Sequence, residues 1–503
     1  MPGIFSSLNS AAHALQAHSR SVEQAGKNIA NVNNPHYTRQ RVVTGSLGSV
    51  QSTTGVQNSG LQALGVQQVR ETYIERQLLG EVAYESGLKV QETRLSQALA
   101  NLGESIDRIN DPLSIDDSVA SSGGIRGSID KFFDAFESLS ASPNDATLKH
   151  VVYQSAEEMV DNFNRIDQRF QLMEAELAEQ IEMDANAFNQ KLAEIDNLNI
   201  EISRYELSNP GGALDLRDER QRLLEEVSAY ASIDVVENAD FNGQITINVS
   251  DQNGGVVSIL EPGFRAKEIF FDATSQSLNI VGSGEALDLG AGSLPALLEV
   301  RGTHVAEIRD ELNLMANNVA TEVNEIYYQA YDATTVPVTP EISFFQQPTP
   351  PPSISGVPST VTAASIALYT APSDLSTIGT DFVALETSSL RSSDSNYAGA
   401  NDIALAIADV ANQQLAGIDS LTLSEYAART VSSLGQEISG VQDRLVVQST
   451  VVDLLNTQRS EVSGVSMDEE VSNMVQYQQA YQASSRYFNV LSEMMDTLIN
   501  SLG

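Results

Sequence analysis

The sequence predicts a mainly α-helical chain with a discontinuous helical core, an inserted antiparallel β domain, and terminal helices able to pair with each other. Three observations predict it. Apolar residues recur at helical spacing at both ends, and the period switches from helical to alternating between residues 230 and 290. Charge is also sparse at both ends of a chain whose formal charge is -39.

From Ser6 to Val32 a seven-residue repeat runs through Leu8, Leu15, Val22 and Ile29, with Ala12, Ser19 and Gly26 four residues after the first three. Small side chains in such a stripe favour close helix packing. Asn33-Asn34-Pro35 predicts the stop, because a proline constrains the residue before it. Residues 36 to 70 read as extended segments and turns. Helical periodicity returns over 71–110, breaks at Asp111-Pro112 and resumes over 128–139. A long amphipathic helix follows over 146–208, with Leu172, Ala175, Leu177, Ile181 and Ala185 on its apolar side. Pro210-Gly211-Gly212 ends it, and Leu214 to Ala229 forms one more short helix.

Alternation then takes over through Ile245, Ile247 and Val249, Val257 and Ile259, and Leu278 and Ile280. Asn242-Gly243 and Asn253-Gly254 suit hairpin turns. Helix returns over 294–331, with Ile308, Leu312, Met315, Val319 and Val323 on one side. The prolines between Pro337 and Pro358 exclude a regular helix there. Beyond Asn401, a heptad seam runs through Ala427, Val431, Leu434, Ile438, Val441, Leu445, Val452 and Leu455, with Gln448 as its polar member.

Ser466-Met467-Asp468-Glu469 fits a capping box ahead of the last helix. That helix carries one apolar stripe through Met467, Val471, Met474, Tyr481, Phe488, Met495, Ile499 and Leu502, and a second through Tyr477, Ala480, Tyr487, Leu491, Met494 and Leu498. One partner cannot cover both, so the two ends are expected to be assembly surfaces. The expected contact residues are Leu8, Leu15, Val22, Ile29, Tyr477, Tyr481, Tyr487, Phe488, Leu491, Met495 and Leu498. The expected organisation is a terminal assembly domain (1–35 and 465–503), a helical core (36–229, 295–331 and 396–464), a small β domain (230–294) and a proline-rich variable insertion (332–395).

Sixty-seven acidic residues against 28 basic ones oppose binding to nucleic acid or anionic lipid. With no Cys there is no disulfide framework or thiolate site, and no secretory peptide or membrane-spanning run is visible. The histidines (His13, His18, His36, His150 and His304) lack metal-ligand spacing, and no phosphate loop or nucleophile elbow is present. Asp251-Gln252-Asn253-Gly254-Gly255 lacks the terminal Glu of a calcium loop and reads as a hairpin turn. No catalytic, metal or cofactor residue is therefore expected, and no cofactor.

Asn28-Ile29-Ala30-Asn31 through His36-Tyr37-Thr38-Arg39-Gln40 resembles the amino-terminal signature of the flagellar rod, hook and hook-associated axial proteins, with His36 where Gly is common. The run from Ser463 through Glu470 to Arg486 is similar to the matching carboxy-terminal signature. Gly212 to Arg220 and Gly292-Ser293-Leu294 resemble segments of the hook–filament junction members of that family. The resemblance implies a structural, non-enzymatic subunit that is exported unfolded through the flagellar type III channel and assembles outside the cell, with its terminal helices paired as a coiled coil and its β insertion facing outward. Its implied partners are copies of itself in a ring, the hook protein, a second junction protein and a cytoplasmic export chaperone. Two alternatives are another axial layer and a surface-exposed adhesion module.

Overall fold

Element boundaries follow the changes of period. The protein is described by a computed structural model covering residues 2–46, 49–52, 55–58, 61–103, 124–143, 145–238, 241–329, 344–346, 361–368 and 401–502. Its helices are α1 (Pro2–Ala30), α2 (Thr72–Asn101), α3 (Ile125–Ala141), α4 (Ala146–Glu206), α5 (Leu214–Ser228), α6 (Ser293–Glu299), α7 (Ala306–Gln329), α8 (Asp402–Val410), α9 (Leu423–Ser463) and α10 (Met467–Leu502). The strands are β1 (Gln40–Ser46), β2 (Ser49–Ser52), β3 (Gly55–Asn58), β4 (Leu61–Gln68), β5 (Asp234–Glu237), β6 (Ile245–Asp251), β7 (Val256–Leu260), β8 (Ile269–Asp272), β9 (Ser277–Ile280) and β10 (Ala286–Asp288). The chain divides into one compact unit of residues 1–87, 182–295 and 445–503, and another of 88–181 and 296–444.

In the first unit, α1 packs along α10 and also against β1 and β4. Strands β1 and β4 pair antiparallel from Gln40↔Gln68 to Ser46↔Leu61, with a bulge between Val43 and Thr44. Because α1 has two kinds of partner, its buried positions are Ala11, Ala17, Ser21, Gln24, Ala25 and Asn28. Ala12 and Ser19, expected in the packed stripe, are exposed.

The inserted sheet has the order β5-β6-β10-β9-β8, with β7 on the other side of β6. Its inward residues are those the alternation marked: Ile245, Ile247, Val249, Ile259, Leu278 and Ile280 are all buried. Asn242 and Gly243 both take positive φ in the β5–β6 connection. Asp251 Oδ1 accepts the backbone N–H groups of Asn253 and Gly255, which makes 251–255 a plain hairpin turn.

Helix α4 holds this sheet through two asparagines. Asn199 Nδ2 donates to the Ile245 carbonyl at 3.1 Å, while its Oδ1 accepts the Ile245 N–H at 3.3 Å. Asn189 does the same to Ile269, at 2.8 and 2.9 Å. Each amide satisfies both backbone groups of a strand's first residue, as a neighbouring strand would. Gly292, with φ +127, closes the return into α6, and a Cβ there would collide with the Tyr230 carbonyl. Gly292→Ala is expected to cost about 2 kcal/mol or more, read as a lower urea midpoint at unchanged slope.

In the second unit, α8 packs against α3 and α7. An aromatic cluster joins Phe132, Phe133 and Phe136 of α3 to Tyr327, Phe344 and Phe345 through ring contacts of 5.0 to 5.9 Å. Asn324 pairs with both backbone groups of Phe345, at 3.1 and 2.9 Å, repeating the device of α4. Phe345 also bridges Leu368, and most of the 332–395 insertion lies outside the described residues.

The expected helix over 294–331 contains a π-turn at Val300–Val305. The turn inserts one residue, so the buried stripe steps by five from Val300 to Val305 and then continues through Ile308, Leu312, Met315, Val319 and Val323. In this unit's part of α4 the stripe is Met159, Phe163, Ile166, Phe170, Met173, Leu177 and Ile181. Leu172, expected inside it, is 59% exposed, and Ala175 is exposed too. The bulkier phenylalanines set the phase that faces the core.

Candidate assembly surface and terminal clasp

Where α1 ends, the chain turns through residues 31–39 and is fastened by polar contacts to three distant segments. Asn28, 1% exposed, is at their centre. Its Nδ2 donates to the Gln40 carbonyl at 2.9 Å and to Glu470 Oε2 at 3.0 Å. Its Oδ1 accepts the Tyr37 hydroxyl at 2.9 Å and the Gln40 N–H at 3.2 Å. Arg39 Nε donates to Glu470 Oε1 at 2.8 Å, and the Arg39 N–H to the Ser463 carbonyl at 2.8 Å. The segment is thereby tied to the first turn of α10.

Helix α5 supplies the other half. Asp218 accepts the Thr38 hydroxyl at 2.7 Å and the Thr38 N–H at 3.2 Å, and Asp215 accepts Gln40 Nε2 at 3.0 Å. Arg70 donates to the same Asp218 at 2.8 Å. Three of the segments singled out in the sequence, 28–40, 212–220 and the 463–470 part of 463–486, thus meet in one polar clasp. His36 takes no positive φ, so the turn needs no glycine at that position.

Burial governs the electrostatics. It pushes Glu75 up to about 7 from 4.5; Arg70 and Arg459 oppose the shift, and Glu225 and Asp218 add to it. Burial also raises Asp218 against its bonds from Thr38 and the charge of Arg70. Tyr37 is raised by burial and then by the charges of Asp215, Asp218 and Glu470. Arg220, buried beside Arg217, is lowered to about 10 and donates to Asn199 Oδ1 and the Gly243 carbonyl, at 2.8 and 2.7 Å.

The packing of α10 along α1 divides the expected contact residues. Leu491 is buried, and Tyr477, Phe488, Met495 and Leu498 are half-buried, as are Leu8, Leu15, Val22 and Ile29 on α1. Tyr481 and Tyr487 remain exposed. Around them Val490, Met494 and Ile499 are exposed as well, so large apolar side chains stay uncovered along α10. Asn28 opens the amino-terminal signature, but nothing in the sequence marks Asn189, Asn199 or Asn324, since helix-borne asparagines are ordinarily surface residues. Among the described residues no group of three or more His, Cys, Asp or Glu could hold a metal ion, and no helix is long and apolar enough to cross a membrane.

Residues 114–345 match the family described as the flagellar hook-associated protein FlgK helical domain, and residues 456–502 match the flagellar basal body rod FlgEFG protein C-terminal family. Similarity extends from end to end to flagellar hook-associated protein 1 of Bacillus subtilis, 22% identical with 100% of this chain and 99% of that protein covered. The Salmonella typhimurium protein of the same name is 24% identical, with 98% and 99% covered. This chain belongs to the hook-associated protein 1 (FlgK) family. Members of the family are structural components of the flagellar axis, and that general role is this chain's. The solved flagellar hook junction protein FlgK from Burkholderia pseudomallei shares the fold at TM-score 0.59 and 14% identity, over 77% of this chain and 100% of that one. The clasp lies partly outside the matched helical-domain segment, at both chain ends.

Proposed function

We propose that this protein forms the layer joining hook to filament, as a structural and non-enzymatic subunit that assembles with copies of itself after type III export. The observation that carries the reading is the α1–α10 pair, clasped at one end and bearing uncovered apolar side chains on α10. A chain at charge -39 resists self-association wherever its acidic surface is presented. Between Val471 and Ser492 the only charged residue is Arg486, so contacts can form there with little repulsion. The end-to-end likeness to proteins named hook-associated protein 1 supports the junction over another axial layer. The hook protein on one side and a second junction protein on the other are the partners this reading requires, with a cytoplasmic chaperone holding the exposed carboxy-terminal helix before export.

The test is localisation of the labelled subunit on isolated flagella. A single band of label between hook and filament is expected, with filaments lost when the gene is deleted. Label along the filament, within the hook, or at the distal end alone would refute the junction assignment.

A further inference from the structure

At the inner end of the clasp, three carboxylates share two guanidinium groups. Glu75, Asp218 and Glu225 have side chains only 10, 10 and 13% exposed, and Arg70 and Arg459 are 17 and 16% exposed. Arg459 donates to Glu225 at 2.6 Å and Arg70 to Asp218 at 2.8 Å. That leaves Glu75 as the third acid. Arg70 Nε is 3.0 Å from Glu75 Oε1 but lacks the alignment of a hydrogen bond. His36 is a further titratable neighbour: its Nδ1 has no hydrogen-bond partner and lies 3.7 Å from Glu225. All of these except Asp218 line a cleft of about 340 Å3, together with Arg39, Gln221, Glu461 and Glu469. Water and protons therefore reach the cluster.

We propose that this cluster is a proton-operated latch, in which one proton on Glu75 keeps the 31–40 segment fastened and its loss loosens that segment. The path is short. Neutral Glu75 leaves Arg70 wholly to Asp218, and Asp218 holds the Thr38 N–H and hydroxyl. Ionised Glu75 draws Arg70 away and adds a third buried negative charge beside Asp218 and Glu225, so the grip on Thr38 weakens. The groups around Glu75 are Arg70 ahead of α2, Asp218 and Glu225 from α5, Arg459 from α9 and His36 from the turn itself, while Arg76 of α2, Arg217 and Arg220 of α5 and Glu237 of β5 line a second cleft with it.

The sign follows from burial. Glu75 binds its proton more tightly in the fastened state, with a pKa of about 7 against 4.5 when exposed. Its contribution is complete below the lower value and is lost as pH rises through the upper one. Between pH 6 and pH 8 the opening constant of the segment should rise about tenfold, since opening releases one proton up to about pH 7 and none above it, and one proton is worth a factor of ten per pH unit.

The experiment is amide hydrogen exchange of the full chain at pH 6, 7 and 8, corrected for intrinsic exchange, followed at Thr38, Arg39 and Gln40. About tenfold faster opening at pH 8 is expected for the wild type. Glu75→Gln, which keeps the shape and removes the ionisation, should flatten that dependence and retain the pH 6 protection at pH 8. A wild-type opening constant independent of pH overturns the proposal, and so does an unchanged dependence in E75Q. Should E75Q fold poorly, NMR titration of the Glu75 carboxyl in the wild type decides. A midpoint near 7 supports the latch, and one near 4.5 overturns it.

Discussion

Asn28→Asp is expected to lower the stability of the first unit by about 3 kcal/mol or more, because it turns the centre of the clasp against itself. The wild-type amide donates to the Gln40 carbonyl and to Glu470, and accepts from Tyr37 and the Gln40 N–H. An aspartate keeps the acceptor side and loses both donors. Its second oxygen would face the Gln40 carbonyl and the Glu470 carboxylate inside a site that is 1% exposed. Asn28→Ala should cost somewhat less: it orphans the same partners but buries no charge. Urea unfolding of both variants checks the order. Equal midpoints for Asn28→Asp and wild type would show that the clasp does not fasten the chain ends.

Much of the frame was legible because burial imposes a period. Ile245, Ile247 and Val249 are buried as alternation requires, and the α9 seam from Ala427 to Leu455 has Leu434, Ile438, Val441 and Val452 inside. Gln448, its polar member, donates to the Glu81 carbonyl and carboxylate at 3.0 and 2.6 Å. A polar seam residue is tolerated where a partner satisfies it. Legibility failed where a residue answers to more than one neighbour. Leu172 and Leu177 are equally apolar, and only the position of Phe163 and Phe170 decides which of them is inside. The π-turn at 300–305 left no local sign, since it is a register change rather than a composition.

The clasp shows the same limit at the candidate site. Its three segments stood out as motifs, yet the reason for their residue types appears only when Asn28, Asp218 and Glu470 are brought together. Separations of 180 and 442 residues lie beyond any periodic reading. The repeated asparagine amide is equally hidden. At Gln40, Ile245, Ile269 and Phe345 it substitutes for a strand partner, so each helix fixes the position of a β segment through one side chain.

Leu491→Asp and Tyr487→Asp together separate folding from assembly. Leu491 is 7% exposed on the helix that packs along α1, so an aspartate there buries an unpaired carboxylate. That change is expected to cost about 3 kcal/mol and to loosen α10 from α1 before any subunit meets another. Tyr487, on the same helix, is 54% exposed. Aspartate at that position changes a solvated surface, and the isolated chain should unfold within about 0.5 kcal/mol of wild type. In an assembly that covers the exposed apolar side chains, the same carboxylate loses its water against an apolar neighbour. Tyr487→Asp should therefore abolish incorporation into flagella in a complementation assay while the purified monomer stays intact. Leu491→Asp should fail in both respects. Normal incorporation of Tyr487→Asp would remove this part of α10 from the subunit contacts and leave α10 with a role inside its own subunit only.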